Sequence, residues 1–321
     1  MPDRPQISVV VPVRNRRTLL VGLLDALRAQ SWRDFEIVVA DDHSGDGSAE
    51  EARRRGAVVV SADGIGAVAA RRTGVRTARG EVLAFTDSDC RPRPGWLAAV
   101  AAAMADGAEV VHGPTVPARP PKPMERSMAS GQEGLYPTCN IAYRRTVFDK
   151  LGGFDGRAAG LLGFRHETRA RGLGFGEDTL LAWRARRAGH DVRFASEAVV
   201  EHHVFPPDLR DSVSRAWMAG AFPALVREVP ELRATLVRRG FLFGPRNRVP
   251  VYATGLALLS GRRWAAGTAA AWWAAERWEE LRRHPGSRWE RVEALPQEMV
   301  LDAVVAAALA TGSIRARTLL A

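Results

Sequence analysis

One stretch of the sequence decides the fold: Gly80-Glu81-Val82-Leu83-Ala84-Phe85-Thr86-Asp87-Ser88-Asp89. Its first part is apolar and β-prone, which predicts a short buried strand. Asp87 and Asp89 then lie at the carboxyl end of that strand, where open α/β sheets bind their ligands. Carboxylate oxygens in this position suit a hard divalent cation, Mg²⁺ or Mn²⁺, that also holds phosphate oxygens. Acidic pairs are common in solvated loops, so the neighbouring segments decide the interpretation.

The residues around this stretch alternate between strand and helix patterns. Apolar runs predict strands at 7–13, 35–40 and 57–61, and the second of them ends at Asp41-Asp42. Helical spacing of apolar residues predicts helices at 18–30, 48–55 (with Ser48 as its cap), 66–79 and 94–106. Regular alternation of this kind predicts an α/β fold with a mostly parallel, doubly wound sheet.

The pattern continues less regularly and then changes. A proline-rich stretch at 114–123 predicts an extended linker or lid edge; strands are predicted at 139–143, 192–194 and 198–204, and helices at 146–151 and 177–188. After Pro206-Pro207 only helical patterns occur, with breaks at Pro223, at Pro230, from Pro245 to Pro250, and at Pro285-Gly286. We therefore predict an α/β domain at 1–206 and a C-terminal α-helical extension at 207–321.

Composition limits the possible classes of protein. The chain has 321 residues, is 46% hydrophobic and carries a formal net charge of +10, and 44 of its 46 basic residues are arginine. This charge favours anionic partners, although a GC-rich genome would also enrich arginine. Cys90 and Cys139 show neither metal-ligand spacing nor a disulfide framework. Because no secretion signal and no apolar run of about 18 residues occurs, we expect a cytoplasmic protein without a membrane span.

The C-terminal extension is rich in tryptophan and arginine. Its tryptophans are Trp217, Trp264, Trp272, Trp273, Trp278 and Trp289. Indole and guanidinium groups together suit a membrane interface or an oligomer contact. Three interpretations stay open: peripheral contact with the inner face of the membrane, a homodimer, or packing within the chain.

Several motifs occur in a fixed order along residues 5–205. They are Val9-Val10-Val11-Pro12-Val13-Arg14-Asn15-Arg16; Glu36 to Ser48, with Asp41-Asp42-His43-Ser44-Gly45; Ala70-Arg71-Arg72-Thr73-Gly74 followed by Asp87-Ser88-Asp89; Cys139 to Arg145; Gly152-Gly153-Phe154-Asp155; Gly174-Phe175-Gly176-Glu177-Asp178; and Ala188 to Val192. This ordered set resembles the family 2 glycosyltransferases of the GT-A fold. Two positions depart from the family pattern, Arg72 in place of asparagine and His43 in place of glycine.

The resemblance assigns roles around the donor and the metal. Asp89 is the expected direct ligand of the divalent cation, and Asp87 is expected to bind the donor ribose or to reach the metal through water. Asp41 is expected to accept the N–H of the base, and Arg71 can pair with phosphate, unless it is a surface arginine. Other expected contacts to the donor nucleotide come from the same motifs, at Pro12, Arg14 and Ser88.

The resemblance also assigns the catalytic base and a further metal ligand. Asp178 is the expected base, which takes the proton of the attacking hydroxyl, and Glu177 is expected to orient the acceptor or support the loop. The alternative is that Asp178 and Glu177 have no catalytic role and only interact favourably with the dipole of the helix that they begin. His202 is the first choice for a further metal ligand and His203 the second. The alternative is that these histidines have only a structural role. Three glycines in residues 171–176 predict a lid that orders when donor and acceptor bind.

Two other classes of protein compete with this interpretation. Gly64-Ile65-Gly66-Ala67-Val68-Ala69 fits a loose dinucleotide-binding pattern, which would indicate an oxidoreductase. A basic, non-catalytic module that binds nucleotide or membrane is the second alternative. We favour a glycosyltransferase that moves a sugar from a UDP-, GDP- or dTDP-sugar to an acceptor hydroxyl, with inversion and with Mn²⁺ or Mg²⁺. Nucleic acid is not an expected partner.

Overall fold

The computed structural model describes residues 4–154, 175–243 and 248–320. The chain divides into two compact units. The first comprises Met1–Ala118 and Met128–His203, and the second comprises Arg119–Ser127 and Val204–Ala321. Residues 119–127, which include part of the proline-rich stretch, thus group with the C-terminal unit and not with the predicted first domain.

The first unit is built on strands separated by helices. Its strands are β1 Ile7–Val13, β2 Phe35–Asp41, β3 Val58–Ser61, β4 Val82–Phe85, β5 Cys90–Pro92, β6 Val110–His112, β7 Thr115–Pro117, β8 Ile141–Arg144, β9 Val192–Phe194 and β10 Val200–His202. Its helices are Arg17–Arg28, Ser48–Arg54, Ala67–Thr77, Trp96–Ala105, Arg145–Lys150 and Glu177–Arg187. In the described residues, seven strands form one sheet in the order β3-β2-β1-β4-β8-β6-β9, and three form a second sheet in the order β5-β10-β7.

The larger sheet confirms the predicted mostly parallel α/β fold. β1 runs parallel to both β2 and β4, whereas β8 runs antiparallel to β4 and to β6. All seven residues of β1 and all four of β4 are buried, as expected for strands covered on both faces. Helix Arg17–Arg28 covers the sheet with four fully buried leucines, at positions 20, 23, 24 and 27.

Close packing of helix Ala67–Thr77 on β1 explains a glycine of the third motif. A Cβ added at Gly74 would lie 2.6 Å from Val10 Cγ1, so a larger residue cannot take this position without a shift of the helix. Arg71 lies one turn earlier on the same helix and is buried too. The glycine thereby sets how near Arg71 comes to the sheet.

Local predictions near two loops are corrected by the structure. Ser48 is the first residue of helix Ser48–Arg54 and does not cap it, because Gly47 precedes it with φ +82° and the Ser48 hydroxyl donates to Asp46 Oδ1 at 2.5 Å. Cys139 lies in a short 3₁₀ turn, Thr138–Asn140, and the strand begins only at Ile141.

The second unit is mainly helical. Its helices are Leu209–Trp217, Phe222–Glu228, Leu232–Leu236, Arg248–Leu259, Arg263–Leu281 and Arg288–Ala316. A two-residue hairpin joins β11 Val237–Arg238 to β12 Phe241–Leu242, so the prediction of helices alone was wrong there. Arg239 and Gly240 form its turn with φ of +52° and +85°, the positive pair that such tight turns require.

Two of the predicted proline breaks lie where a new helix begins. Pro250 lies in the first turn of helix Arg248–Leu259, and Pro223 lies at the start of Phe222–Glu228. Proline is tolerated there because a first-turn N–H has no acceptor within the helix. Pro285 and Gly286 do separate two helices, as predicted.

Helix Arg288–Ala316 is, within the described residues, the one helix long and apolar enough to cross a membrane by length and composition. Asp302 divides the apolar sequence of this helix, so the helix contains no uninterrupted apolar run of about 18 residues. Asp302 is buried and accepts hydrogen bonds from Trp273 Nε1 at 2.9 Å and Arg248 Nη1 at 3.1 Å, and it also pairs with Arg277. These contacts are those of a helix packed against its neighbours within the unit.

Candidate active site

The carboxyl ends of β2 and β4 bring the predicted acidic residues to one edge of the sheet. β1 lies between these strands, with Val13 opposite Asp41 of β2 and Val10 opposite Phe85, the last residue of β4. The chain after β4 turns tightly, since the Cys90 N–H donates to the Asp87 carbonyl oxygen at 2.9 Å. Asp87 and Asp89 therefore stand on a defined turn at the ligand-binding edge.

The small second sheet brings His202 to Asp89. β10 pairs antiparallel with β5, and this register sets His202 opposite Cys90. The His203 N–H donates to the Asp89 carbonyl oxygen at 2.9 Å, and His202 Nε2 lies 3.8 Å from Asp89 Oδ1. Ligand atoms of Asp89, Cys90 and His202 all lie within 4.8 Å of one another. The structure thus unites the predicted ligands Asp89 and His202.

The orientation of the His202 ring is suited to a metal. Its Nδ1 lies 2.8 Å from the carbonyl oxygen of His203, which can only accept, so Nδ1 carries the hydrogen. In the neutral ring the lone pair then lies on Nε2, the atom that faces Asp89. Metal-binding histidines commonly donate the other ring N–H to a carbonyl in this way.

Arg16 and Cys90 belong to this cluster, although the sequence analysis did not predict them. Arg16 Nη1 lies 3.0 Å from Asp89 Oδ2, the oxygen that does not face His202. Contact with the Cys139 thiol, together with burial, raises the pKa of the Cys90 thiol well above its usual value. Arg16 reaches Asp89 through a loop contact, and Cys90 lies opposite His202 through the pairing of β5 with β10.

Arg71 links the two acidic motifs. Its Nη2 lies 2.6 Å from Asp87 Oδ1 and its Nη1 3.8 Å from Glu177 Oε1, and its side chain is only 6% exposed. Arg71 Nε is buried without a hydrogen-bond partner among the described residues. The arginine predicted to meet phosphate therefore neutralises two carboxylates, and it is not a surface residue.

Asp178 lies at the start of helix Glu177–Arg187 and is held by backbone donors. Oδ2 accepts from the Thr138 N–H at 3.0 Å, and Oδ1 accepts from the Thr179 N–H at 2.8 Å. Burial, reinforced by the neighbouring Glu177 carboxylate, raises the pKa of Asp178 to about 7. Burial also raises the pKa of Glu177, against the opposing effect of Arg71. A carboxylate with a pKa near neutrality is suited to exchanging protons.

Asp41 offers a buried acceptor at the end of β2. Its Oδ2 accepts from the Ser44 N–H at 3.2 Å, whereas Oδ1 is buried and has no hydrogen-bond partner among the described residues. A buried unpaired acceptor is costly, which is the expected condition for an atom that receives a ligand N–H.

Asp42 organises the loops beside it. Its Oδ2 accepts from the Gly66 N–H at 3.0 Å and from Arg14 Nη1 at 3.4 Å. The Gly66 amide of the loose dinucleotide pattern is thus taken by a carboxylate, which argues against a pyrophosphate there. His43 has φ +57°, a conformation that glycine adopts freely, and this accounts for the glycine usual at that position in the resembling family.

The other predicted contacts lie at the same edge. Pro12 is buried in β1 beyond the last residue paired with β4, so its missing N–H costs no bond to that strand. Ser88 is buried in the turn between the two acids. Arg72, the other departure from the family pattern, is exposed. Residues 171–174 of the predicted lid, Gly174 of the base motif and Asp155 lie outside the described residues.

Comparison with known proteins indicates the family. The model of "Glycosyl transferase family 2" matches residues 8–161. This segment, just under half of the chain, is similar to that family. The family 2 region thus contains the Asp87–Asp89 turn and Arg71, whereas Asp178 and His202 follow it.

Curated relatives of the chain are moderately similar to it. The pre-mycofactocin glycosyltransferase of Mycobacterium tuberculosis is 28% identical over 266 residues, which cover 74% of this chain and 51% of the relative. The glycosyltransferase AglE of Haloferax volcanii is 26% identical over 222 residues, which cover 63% of this chain and 68% of the relative. The chain thus spans about half the length of the mycobacterial relative.

A solved structure shares the fold of this chain. The mannosyltransferase PcManGT from Pyrobaculum calidifontis, solved with GDP-Man and Mn²⁺, superposes with a TM-score of 0.57 at 19% identity. The match covers 98% of this chain and 88% of that protein. The GT-A fold expected from the motifs is therefore confirmed.

Proposed function

We propose that this protein transfers a sugar from a nucleoside diphosphate sugar to an acceptor hydroxyl, with inversion and with the help of a divalent cation. The observation that carries this proposal is the meeting of Asp89 Oδ1 and His202 Nε2, 3.8 Å apart, at the carboxyl end of β4. A carboxylate oxygen and an imidazole lone pair repel each other at this distance unless a cation or a proton lies between them.

The donor set fits Mn²⁺ or Mg²⁺. Asp89 and His202 would hold the ion directly, and Asp87, which is 31% exposed, would bind it through water or bind the donor ribose. When bound, the ion stabilises the negative charge of the departing diphosphate as a Lewis acid. Arg16 holds the second oxygen of Asp89, which fixes the carboxylate in one orientation.

The donor nucleotide would lie along the ends of β1, β2 and β4. The unpaired Asp41 Oδ1 would accept an N–H of the base. Pro12 and Ser88 would line the same edge, and Arg14, about half exposed, would leave its contact with Asp42 to reach the donor. The buried Arg71 adds a fixed positive charge close to the phosphates and orients Asp87.

Asp178 would act as the base. The acceptor hydroxyl oxygen forms a bond to the anomeric carbon while the bond from that carbon to the diphosphate oxygen breaks. The hydroxyl proton passes to the Asp178 carboxylate, and the nucleoside diphosphate leaves with the bonding electrons. A single displacement of this kind inverts the anomeric configuration. The Thr138 and Thr179 amides hold the carboxylate in place, and Glu177 supports it through Arg71.

A donor screen tests this proposal. The protein would be incubated with UDP-, GDP- and dTDP-sugars, with Mn²⁺ or with a chelator, and released nucleoside diphosphate would be measured. We expect release from one class of donor only when metal is present, and a product of inverted configuration by NMR. Equal release in the presence of chelator would contradict the metal assignment, and a retained configuration would contradict the single displacement.

A further inference from the structure

The turn between helices Arg248–Leu259 and Arg263–Leu281 exposes large apolar side chains. We call residues 256–264 the hairpin tip. Leu256, Leu258, Leu259 and Trp264 are 68%, 60%, 87% and 77% exposed. Single exposed apolar residues are ordinary, but here four of them lie within nine residues at one turn, and clusters of exposed apolar residues are typical of surfaces that bind a partner or a membrane.

The hairpin tip is a well-formed turn and not a frayed end. Gly261 has φ +72°, its N–H donates to the Leu258 carbonyl at 3.0 Å, and the Arg262 N–H donates to the Ala257 carbonyl at 2.9 Å. This is the Schellman arrangement that closes a helix. Since these turn amides are paired within the turn, they lose little when water is removed from around them.

The other end of the hairpin is anchored. Asp302 of helix Arg288–Ala316 accepts from Arg248 Nη1 at 3.1 Å on one helix and from Trp273 Nε1 at 2.9 Å on the other. Both helices of the hairpin are thus fixed to a third, and the apolar tip is presented on a rigid support.

The charge around the hairpin tip indicates which kind of partner it would bind. Residues 256–275 contain two arginines and neither aspartate nor glutamate, so the tip and the helical turns after it are positively charged. Arg262 and Arg263 lie in the tip itself, both exposed and beside Trp264. A second copy of this surface would be repelled, because it offers no acid to pair with these arginines. Nucleic acid is a poorer candidate, because three exposed leucines would add little to its binding.

We propose that the hairpin tip docks on an anionic membrane surface. Leu258, Leu259 and Trp264 enter the boundary between headgroups and acyl chains, where indole rings partition, and Arg262 and Arg263 meet lipid phosphates. This inference concerns binding to lipid and does not depend on the proposed activity.

Sedimentation of the full chain with vesicles, without nucleotide or metal, tests the proposal. We expect binding to vesicles of phosphatidylcholine mixed with phosphatidylglycerol and little binding to phosphatidylcholine alone. Trp264→Ser should lower the partition coefficient about tenfold, as should the double variant Arg262→Gln/Arg263→Gln. Trp289→Ser is the matched control, because Trp289 is equally exposed (74%) but lies outside the tip, and it should bind like the parent protein.

Four results would overturn the proposal. The first is failure of the parent protein to pellet with anionic vesicles, and the second is an equal loss of vesicle binding in Trp264→Ser and Trp289→Ser. The third is a loss of vesicle binding in the arginine variant but not in Trp264→Ser. The fourth is a dimer, detected by light scattering, that Trp264→Ser dissociates. The third would indicate a general polyanion site, and the fourth a contact between two copies. Circular dichroism of each variant confirms that it is folded before its binding is compared.

Discussion

Asp178 combines two properties that a base needs, a fixed position and a pKa of about 7. Asp178→Asn removes the proton acceptor while nearly keeping the size of the side chain. We expect kcat to fall by ~10²-fold or more, with little change in nucleotide affinity. Steady-state kinetics and calorimetry measure the two effects, and near-normal turnover would move the role of base to another group such as Glu177.

The raised pKa of Asp178 also predicts how activity and stability depend on pH. Below about pH 7 the carboxyl keeps its proton, so kcat/KM should rise with pH through an apparent pKa near 7. Stability should change in the opposite direction. A folded-state pKa above the unfolded value means that the stabilisation present at low pH is lost as pH rises through about 7. Rate profiles and thermal melts from pH 5.5 to 8.5 would measure both, and a kcat/KM independent of pH across this range would contradict the assignment.

Asp41 is predicted to recognise the base and not the diphosphate. Asp41→Ala removes the unpaired acceptor, and we expect a loss of about tenfold in affinity for nucleoside diphosphate, on the scale of one buried hydrogen bond. Binding of inorganic pyrophosphate is the internal control and should hardly change. An equal loss for both ligands would show that Asp41 acts through the phosphate site.

Sequence patterns predicted the site residues at strand ends. They did not predict the residues that reach the site through contacts between distant parts of the chain. β1, β2 and β4 are runs of apolar, β-prone residues that end at polar ones, so Asp41, Asp87 and Asp89 could be placed at the sheet edge before the structure was known. Arg16 reaches Asp89 through a loop contact, and Cys90 reaches His202 through the three-residue pairing of β5 with β10; neither contact leaves a periodic signal in the sequence. The β11–β12 hairpin is too short to produce a periodic pattern, and its Arg-Gly turn lacks the usual asparagine or aspartate.

Among helices and strands, two helical glycines predict opposite effects. A Cβ at Gly74 would lie 2.6 Å from Val10 Cγ1, whereas a Cβ at Gly267 in helix Arg263–Leu281 would meet nothing within 4 Å. Gly74→Ala should lower the free energy of unfolding by about 1–3 kcal/mol because of overpacking. Gly267→Ala should raise it by up to ~1 kcal/mol because alanine favours the helix. Urea denaturation measures both, and destabilisation by both changes would contradict the difference in packing.

For the protein as a whole, the central claim is that Asp89 and His202 hold a cation that binds the donor diphosphate. The first residue follows β4 and the second ends β10, so the claim depends on the entire first unit folding as described. Neither residue alone would indicate a metal, since strand-end histidines and loop acids are often structural. Their approach to 3.8 Å, with the histidine N–H turned away to a carbonyl, is the geometry on which the proposed metal site rests.

Calorimetric titration of nucleoside diphosphate, with and without Mn²⁺, tests this claim most directly. UDP and GDP would be titrated into the parent protein, Asp89→Ala, His202→Ala and the control Glu201→Gln, whose residue neighbours His202 on β10 but pairs with Arg93. The account predicts tight, Mn²⁺-dependent binding of at least one nucleotide to the parent protein and to the control. It predicts that Asp89→Ala and His202→Ala lose this dependence on Mn²⁺. Unchanged metal-dependent affinity in folded Asp89→Ala would contradict it.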